Sequence, residues 1–409
     1  MLPDLTFACI MRKIVLTLLL FVVTAAYAQQ QESLKLPAGF SSKVIFEGLP
    51  GARHMAVNAK GGIFIKLSKL KDGAGIIYIV PSGDNGKYSQ KAAFGNYPGT
   101  GIAIKDGYLY ASSNDDVFRY KLDKNGEVVS PDQPEKIITG LVNRNRDNAK
   151  SIALDDRGNI YVNVGSYIGS CLIDPESRTA PLPCPLLDSV GGIWQFKAAK
   201  KEQGYAEAVH YATGFKHVVG LDWNSRSNSL FIMQHGRDQL NDLYPALYTA
   251  EQNAMIPAET MYEVKKGADG GWPYVYYDQF QKKQILAPEY GGDGKKPGTH
   301  KAVDPKVAFP AHLAPNGMLF YTGRTFPSKY RNGAFIAFHG NSPELKKGYF
   351  VGFVPFDGAR KTGEWEIFAD NFTTSREQHK PCGLAQSASG DIFVSDDAKG
   401  NIYQISYTK

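Results

Sequence analysis

Apolar residues in this chain come in short alternating runs. Six stretches share one pattern: GGIFIKLS (61–68), DGYLYASS (106–113), RGNIYVNVG (157–165), SNSLFIMQHG (227–236), NGAFIAFHG (332–340) and SGDIFVSDD (389–397). Each begins at a Gly- or Asn-bearing turn, alternates aromatic and β-branched residues, and ends on small or polar ones. Alternation bounded by turn signals predicts strands. Recurrence of the cassette at intervals of roughly 45 to 100 residues predicts an all-β fold, a six-bladed β-propeller with loop insertions at one face. No long amphipathic pattern competes with it. Residues 29–409 read as one propeller domain. Segment 265–304, dense in Gly and Pro, reads as an insertion rising over one end.

In a propeller, the loops at one end converge on the axis. Polar residues that end equivalent strands can then be neighbours in space while far apart in sequence. The run MQHGRD (233–238), where an apolar strand stops on His, Arg and Asp, is the first candidate for one wall of a central site.

The N-terminus changes the expected location. From Met11, the start that such a leader calls for, Arg12 and Lys13 precede an apolar run from Ile14 to Val23, and Ala26-Tyr27-Ala28 makes an A-x-A cleavage site. Residues 1–28 therefore read as a secretory signal peptide, too short in its apolar part for a stable membrane span. The expected location is secreted or periplasmic, where disulfides persist. Cys171 and Cys184 flank a Pro-rich loop that a disulfide would close. Cys382, between Pro381 and Gly383, reads as a buried thiol. The formal charge of +6 is dispersed among acidic residues, without the basic blocks of a nucleic-acid binder. There is no nucleotide-binding glycine fingerprint, P-loop or nucleophile elbow.

Several blocks carry a family resemblance: ATGFKHVVGLDW, LFIMQHGRDQL, GADGGWPYVYYD, LAPEYGGDGK, AFPAHLAPNGMLFYTG, YRNGAFIAFHG, GYFVGFVPFDG and KPCGLAQSASGDIFVSDDAKGNIYQI. In order, from about residue 36 to the C-terminus, they resemble the soluble glucose/sorbosone dehydrogenases. The resemblance implies a six-bladed propeller holding pyrroloquinoline quinone and Ca²⁺ near the axis. It also implies a sugar or sugar-aldehyde substrate, with electrons passed to an external acceptor. A cofactor with three carboxylates calls for cations and fork-like donors. Oxidising a sugar hydroxyl calls for a general base. Ca²⁺ takes carbonyl and carboxylate oxygens.

Transferred position by position, the resemblance assigns cofactor contacts to Lys216, His217, Arg237, Lys346 and Lys380. Backbone carbonyls of Gly236 and Arg237 are the implied metal ligands. His235, Trp272 and His312 are candidates to face the substrate. The family's Arg-Asn pair corresponds to Lys216-His217, and its Arg before the last blade to Lys380, so charge is kept while the bidentate fork is lost. Where the family has its catalytic His, this chain has Asp147. Asp147, a carboxylate in place of an imidazole, is the expected base. Two other functions fit the same fold: a saccharide-binding propeller without catalysis, and a Ca²⁺-dependent lactonase-like hydrolase.

Overall fold

The computed structural model describes residues 34–83, 86–174, 176–373 and 378–408. The leader reading of residues 1–28 lies outside them. Among the described residues, no helix is long and apolar enough to cross a membrane.

Each of the six cassettes forms the second strand of a separate antiparallel sheet. Blade 1 runs Ala52–Val57, Ile63–Lys71, Ala74–Pro81, Tyr88–Phe94; blade 2 runs Ile102–Lys105, Tyr108–Ser112, Val117–Lys121, Glu135–Ile138. Blade 3 runs Ile152–Leu154, Asn159–Val164, Gly192–Lys197, Val209–Thr213, and blade 4 Val218–Asn224, Ser229–Gln234, Glu259–Val264, Val307–Phe309. Blade 5 runs Pro315–Phe320, Gly333–Ser342, Lys347–Asp357, Glu366–Ala369. Blade 6 takes Pro381–Gln386, Ile392–Asp396 and Ile402–Tyr407 from the end of the chain and its outer strand, Phe40–Phe46, from the beginning. Among the described residues, helices are confined to short pieces such as Leu240–Leu243 and Ala250–Met255.

Strand alternation explains the core. Side chains on opposite faces of one blade enter two different inter-blade layers. Phe231, Met233 and Met261 of blade 4 meet Met318, Ile336 and Phe338 of blade 5, whereas Leu230, Ile232 and Tyr262 pack with Tyr161 and Ile193 of blade 3. Both faces are buried, so the cassettes are apolar on both.

Two features position the site. Four innermost strands change register near their starts, between Ala52 and Met55, Val218 and Leu221, Pro315 and Gly317, and Pro381 and Leu384. Such bulges re-aim the backbone where a strand begins. The segment 265–304 leaves blade 4 after its third strand. It adds Ala268–Asp269 in parallel to the outer strand of blade 3, and folds a hairpin from Val275–Asp278 and Lys283–Leu286.

Ring closure depends on Phe40. Its ring lies 4.8 Å from Phe326 and 5.0 Å from both Phe368 and Tyr407, tying the outer strand of blade 6 to blade 5. Phe40→Ala is expected to cost about 2–4 kcal/mol in chemical denaturation through the lost packing. A loss under about 0.5 kcal/mol, the size of an ordinary surface change, would show that closure does not rest on this ring.

Candidate functional site

The innermost strands start at one mouth of the ring, and cations gather there. Lys216, immediately before the first strand of blade 4, is buried, with Nζ 3.3 Å from Asp147 Oδ2. The pair is not aligned for a hydrogen bond, and that oxygen has no hydrogen-bond partner. Asp147 adopts φ 52° in the loop entering blade 3, a left-handed conformation that Asp tolerates better than most residues. His217 Nε2 lies 3.9 Å from Asp147 Oδ1, and the rings of His217 and His235 are 4.9 Å apart. Gly165 makes this convergence possible: a Cβ there would sit 2.6 Å from both His217 Nδ1 and the Asp147 carbonyl oxygen.

Burial holds His217 well below the usual histidine range, and the positive charges of Lys216, Lys150, Arg53 and Arg146 press in the same direction. His235 is depressed likewise, by burial first and then by His217 and Lys216. Both imidazoles are neutral at neutral pH, with His217 Nδ1 and His235 Nε2 lacking hydrogen-bond partners. Lys150 is fully buried, its pKa pushed down to about 8 by desolvation, and it donates to the Asn148 carbonyl at 2.9 Å.

Across the mouth, His339 ends the apolar part of the second strand of blade 5. Its Nε2 is 2.7 Å from Asp397 Oδ1. The other oxygen of Asp397 lies 3.4 Å from Arg53 NH1, which also reaches Cys382 Sγ at 3.5 Å. Asp397 is held below the ordinary carboxylate range: burial acts against ionisation, but the hydrogen bond with His339, together with the charges of Arg53 and Lys380, outweighs it. Lys380 Nζ stands 5.8 Å from the centre of the Tyr349 ring. Cys382 is a buried free thiol among the described residues, as the sequence suggested.

Other expected residues have different surroundings. The Arg237 guanidinium makes two hydrogen bonds, at 2.7 and 2.8 Å, to the buried carboxylate of Glu289. That fork clamps the insertion to blade 4 and is unavailable to a ligand. Trp272 is buried against Gly191, donates from Nε1 to the Gly169 carbonyl at 3.0 Å, and belongs to the core of blade 3. An aromatic ring in a Gly-rich insertion found a core because Gly191 leaves room for it. His312, at φ 63°, places Nε2 3.0 Å from the Asn253 carbonyl and Nδ1 3.7 Å from Asp238, which also pairs with Arg146. Lys346 is exposed in the turn between the second and third strands of blade 5. Cys171 and Cys184 are joined.

Arg53, Lys150, Glu259 and the His339–Asp397 pair escaped the sequence reading. Glu259 accepts hydrogen bonds from Gly236 N at 2.9 Å and Ala314 N at 3.3 Å, and desolvation pushes its pKa up to about 8. The available signal was positional: Arg53 and Lys150 both stand two residues before the first apolar residue of an inner strand that lines the axis, Met55 and Ile152.

Pyrroloquinoline quinone fits this donor set. Cations from blades 1, 3, 4 and 6 face one mouth, and the unpartnered Arg53 Nε and His217 Nδ1 are buried there. Ca²⁺ does not find a side-chain cage. Asp147, Asp238 and Asp397 are each already beside a cation, and no group of three or more metal-binding side chains converges among the described residues.

Two outcomes follow. Arg237→Ala strands Glu289 as a buried charge and should cost roughly 3–5 kcal/mol, measured by urea denaturation; a loss below 1 kcal/mol would mean that the pair does not anchor the insertion. The second concerns His54 in blade 1, pushed down to about 4 by burial. Its folded pKa lies below the unfolded value of 6.5, so the unfolded state binds the proton first and stability falls as pH drops from 6.5 toward 4. The stability advantage of wild type over His54→Gln should shrink by about 2 kcal/mol between pH 6.5 and 5. A pH-independent difference would contradict a neutral, desolvated His54.

A protein of Hypocrea jecorina named pyrroloquinoline quinone-dependent sugar dehydrogenase is 22% identical over 398 residues, covering 89% of this chain and 87% of its own. An uncharacterised protein of Borreliella burgdorferi is 27% identical over 400 residues, covering 95% and 94%. In three dimensions, the Trichoderma reesei carbohydrate-active enzyme of family AA12 superposes with a TM-score of 0.74 at 18% identity, covering 92% of this chain and 98% of that one. The pyrroloquinoline quinone domain of pyranose dehydrogenase from Coprinopsis cinerea gives 0.69 at 16% identity, covering 92% and 97%. The likeness to a protein named as a quinone-dependent sugar dehydrogenase thus spans nearly the whole chain, and the solved structures share its propeller fold. A TrAA12-like family model matches residues 34–408, from just ahead of the ring-closing strand Phe40–Phe46 to the last strand of the chain. The chain belongs to the TrAA12-like family.

Proposed function

We propose that this protein is an exported oxidoreductase that binds pyrroloquinoline quinone at the cationic mouth and oxidises a sugar or sugar aldehyde there, passing electrons to an external acceptor. The supporting observation is the gathering of Arg53, Lys150 and Lys216 around the neutral His217 and His235 pair, with Lys380 beside Asp397. That much desolvated positive charge is unfavourable alone, and a tricarboxylate would relieve it. Arg53, Lys216, His217 and Lys380 would hold the cofactor, which when bound supplies a quinone able to accept hydride. Any Ca²⁺ would rely on the backbone carbonyls of Gly236 and Arg237, and no step is drawn through it.

The proton of the sugar hydroxyl needs an acceptor, and the chain offers two. Asp147 is the residue that the resemblance points to, but its carboxylate already faces Lys216. His339 has the better-organised geometry. Its Nε2–H donates to Asp397, which fixes the tautomer and leaves Nδ1 as the lone-pair nitrogen. Arg53 holds Asp397 from the other side. Pairing of the mouth carboxylates with cations speaks against a metal-carboxylate lactonase.

Turnover with a dye acceptor across a panel of sugars tests the assignment. His339→Gln should lower kcat at least 100-fold while leaving cofactor binding within about threefold. Lys216→Ala should weaken cofactor binding roughly tenfold or more. If Asp147→Asn abolishes turnover and His339→Gln does not, Asp147 is the base. Cofactor saturation without turnover of any sugar would overturn the catalytic reading and favour saccharide binding.

A further inference from the structure

The inner strands open on one repeated step. It reads Arg53-His54-Met55, Thr100-Gly101-Ile102, Lys150-Ser151-Ile152, Val219-Gly220-Leu221, Asn316-Gly317-Met318 and Cys382-Gly383-Leu384. The third residues line a cavity of about 510 Å³ on the propeller axis. Asp156, Ser225, Thr322 and Gln386, which lie at or beyond the far ends of these strands, line it too, so it opens at the face opposite the cationic mouth.

The middle residues are small in five blades, and in three of them contact requires it. A Cβ on Gly101 would meet the Lys150 carbonyl oxygen at 2.5 Å, one on Gly317 the Cys382 carbonyl oxygen at 2.3 Å, and one on Gly383 the Arg53 carbonyl oxygen at 2.4 Å. Gly101, Gly220, Gly317 and Gly383 each meet the equivalent step of the next blade, which sets these steps at one level around the axis. Blade 1 alone carries a large side chain there. His54 lines the axial cavity, and its Nε2 lies 2.8 Å from the Asn316 carbonyl oxygen of blade 5. To reach it the imidazole passes blade 6, where Gly383 leaves room: a Cβ at that glycine would be 2.8 Å from His54 Cα. On the mouth side of this level lie Arg53 and Cys382, the latter fully buried.

We propose that His54 is the plug of the propeller axis, a positioning residue that closes the bore between the wide cavity and the cationic mouth. The other five blades leave the bore open at this level, and one imidazole hydrogen-bonded across to Asn316 fills it. The plug keeps water from reaching Arg53, Asp397 and Lys216 from below, so their charges act in a medium of low effective dielectric. A neutral imidazole suits the task, since a charged one would add to the cations above it.

Cys382 is a built-in reporter, because its thiol accepts from Arg53 and from Asn316 Nδ2 at 3.9 Å, next to the carbonyl that His54 caps. The experiment is alkylation of Cys382 in the full chain at fixed pH, followed by peptide mass spectrometry, with iodoacetamide and with a bulky maleimide. His54→Ala should raise the iodoacetamide rate at least tenfold and leave the maleimide rate unchanged, and His54→Gln, which can still reach the Asn316 carbonyl, should stay near wild type. Equal iodoacetamide rates in wild type and His54→Ala would overturn the plug. So would acceleration of both reagents together, which would report loosening of the junction between blades 6 and 1. No quinone is involved, so this result stands or falls separately from the proposed activity. The significance of the plug for catalysis does rest on that activity.

Discussion

Closure of the ring is the constraint on which everything else depends. The strand Phe40–Phe46 pairs with Ile402–Tyr407, from Phe40 opposite Tyr407 to Phe46 opposite Ile402. Only then does Arg53, at the start of the first blade, reach Cys382 and Asp397 in the last. The His339–Asp397–Arg53 line crosses this seam, as does the contact of His54 with Asn316. Chain entropy opposes bringing such distant segments together, and the aromatic packing around Phe40 offsets it. The mouth is therefore a product of closure rather than of any one blade.

Its electrostatics follow from that crowding. The strand starts of blades 1, 3, 4 and 6 deliver lysines and an arginine to a small buried volume, where like charges and desolvation act on the same groups. The protein answers in two ways. Carboxylates are placed beside individual cations, as Asp147 beside Lys216 and Asp238 beside Arg146. Histidines within the cluster stay neutral because burial and neighbouring cations both disfavour their protonation. Glu259, pushed up to about 8 by burial, ties the loops of blades 4 and 5 through two backbone N–H groups at the edge of the cluster. Perturbed groups concentrated at one mouth are a common mark of a functional site.

The blades were legible in the sequence because each cassette meets the same physical demand: apolar on both faces, bounded by turns, ended by polar groups. Lys216 and His217 were legible through block resemblance, and both stand at the mouth. Arg237 and Trp272 were misleading for a shared reason. Sequence gives residue type and neighbourhood, whereas a partner such as Glu289 or a gap such as that beside Gly191 is made by tertiary contact. The His339–Asp397 pair was hidden in the same way. Its members lie 58 residues apart, and each alone reads as a strand end. His54 was hidden by its ordinary setting in RHM; its role becomes visible only when the six inner-strand steps are stacked at one level.

The central claim is that the mouth is a receptor for a small polyanionic quinone. Titration of the protein with pyrroloquinoline quinone, followed by visible absorbance and calorimetry, tests it most directly. Saturation at one equivalent is expected, with affinity that falls as salt is raised because the attraction is largely ionic. Absence of saturable binding up to high micromolar cofactor, in folded protein with and without Ca²⁺, would contradict it.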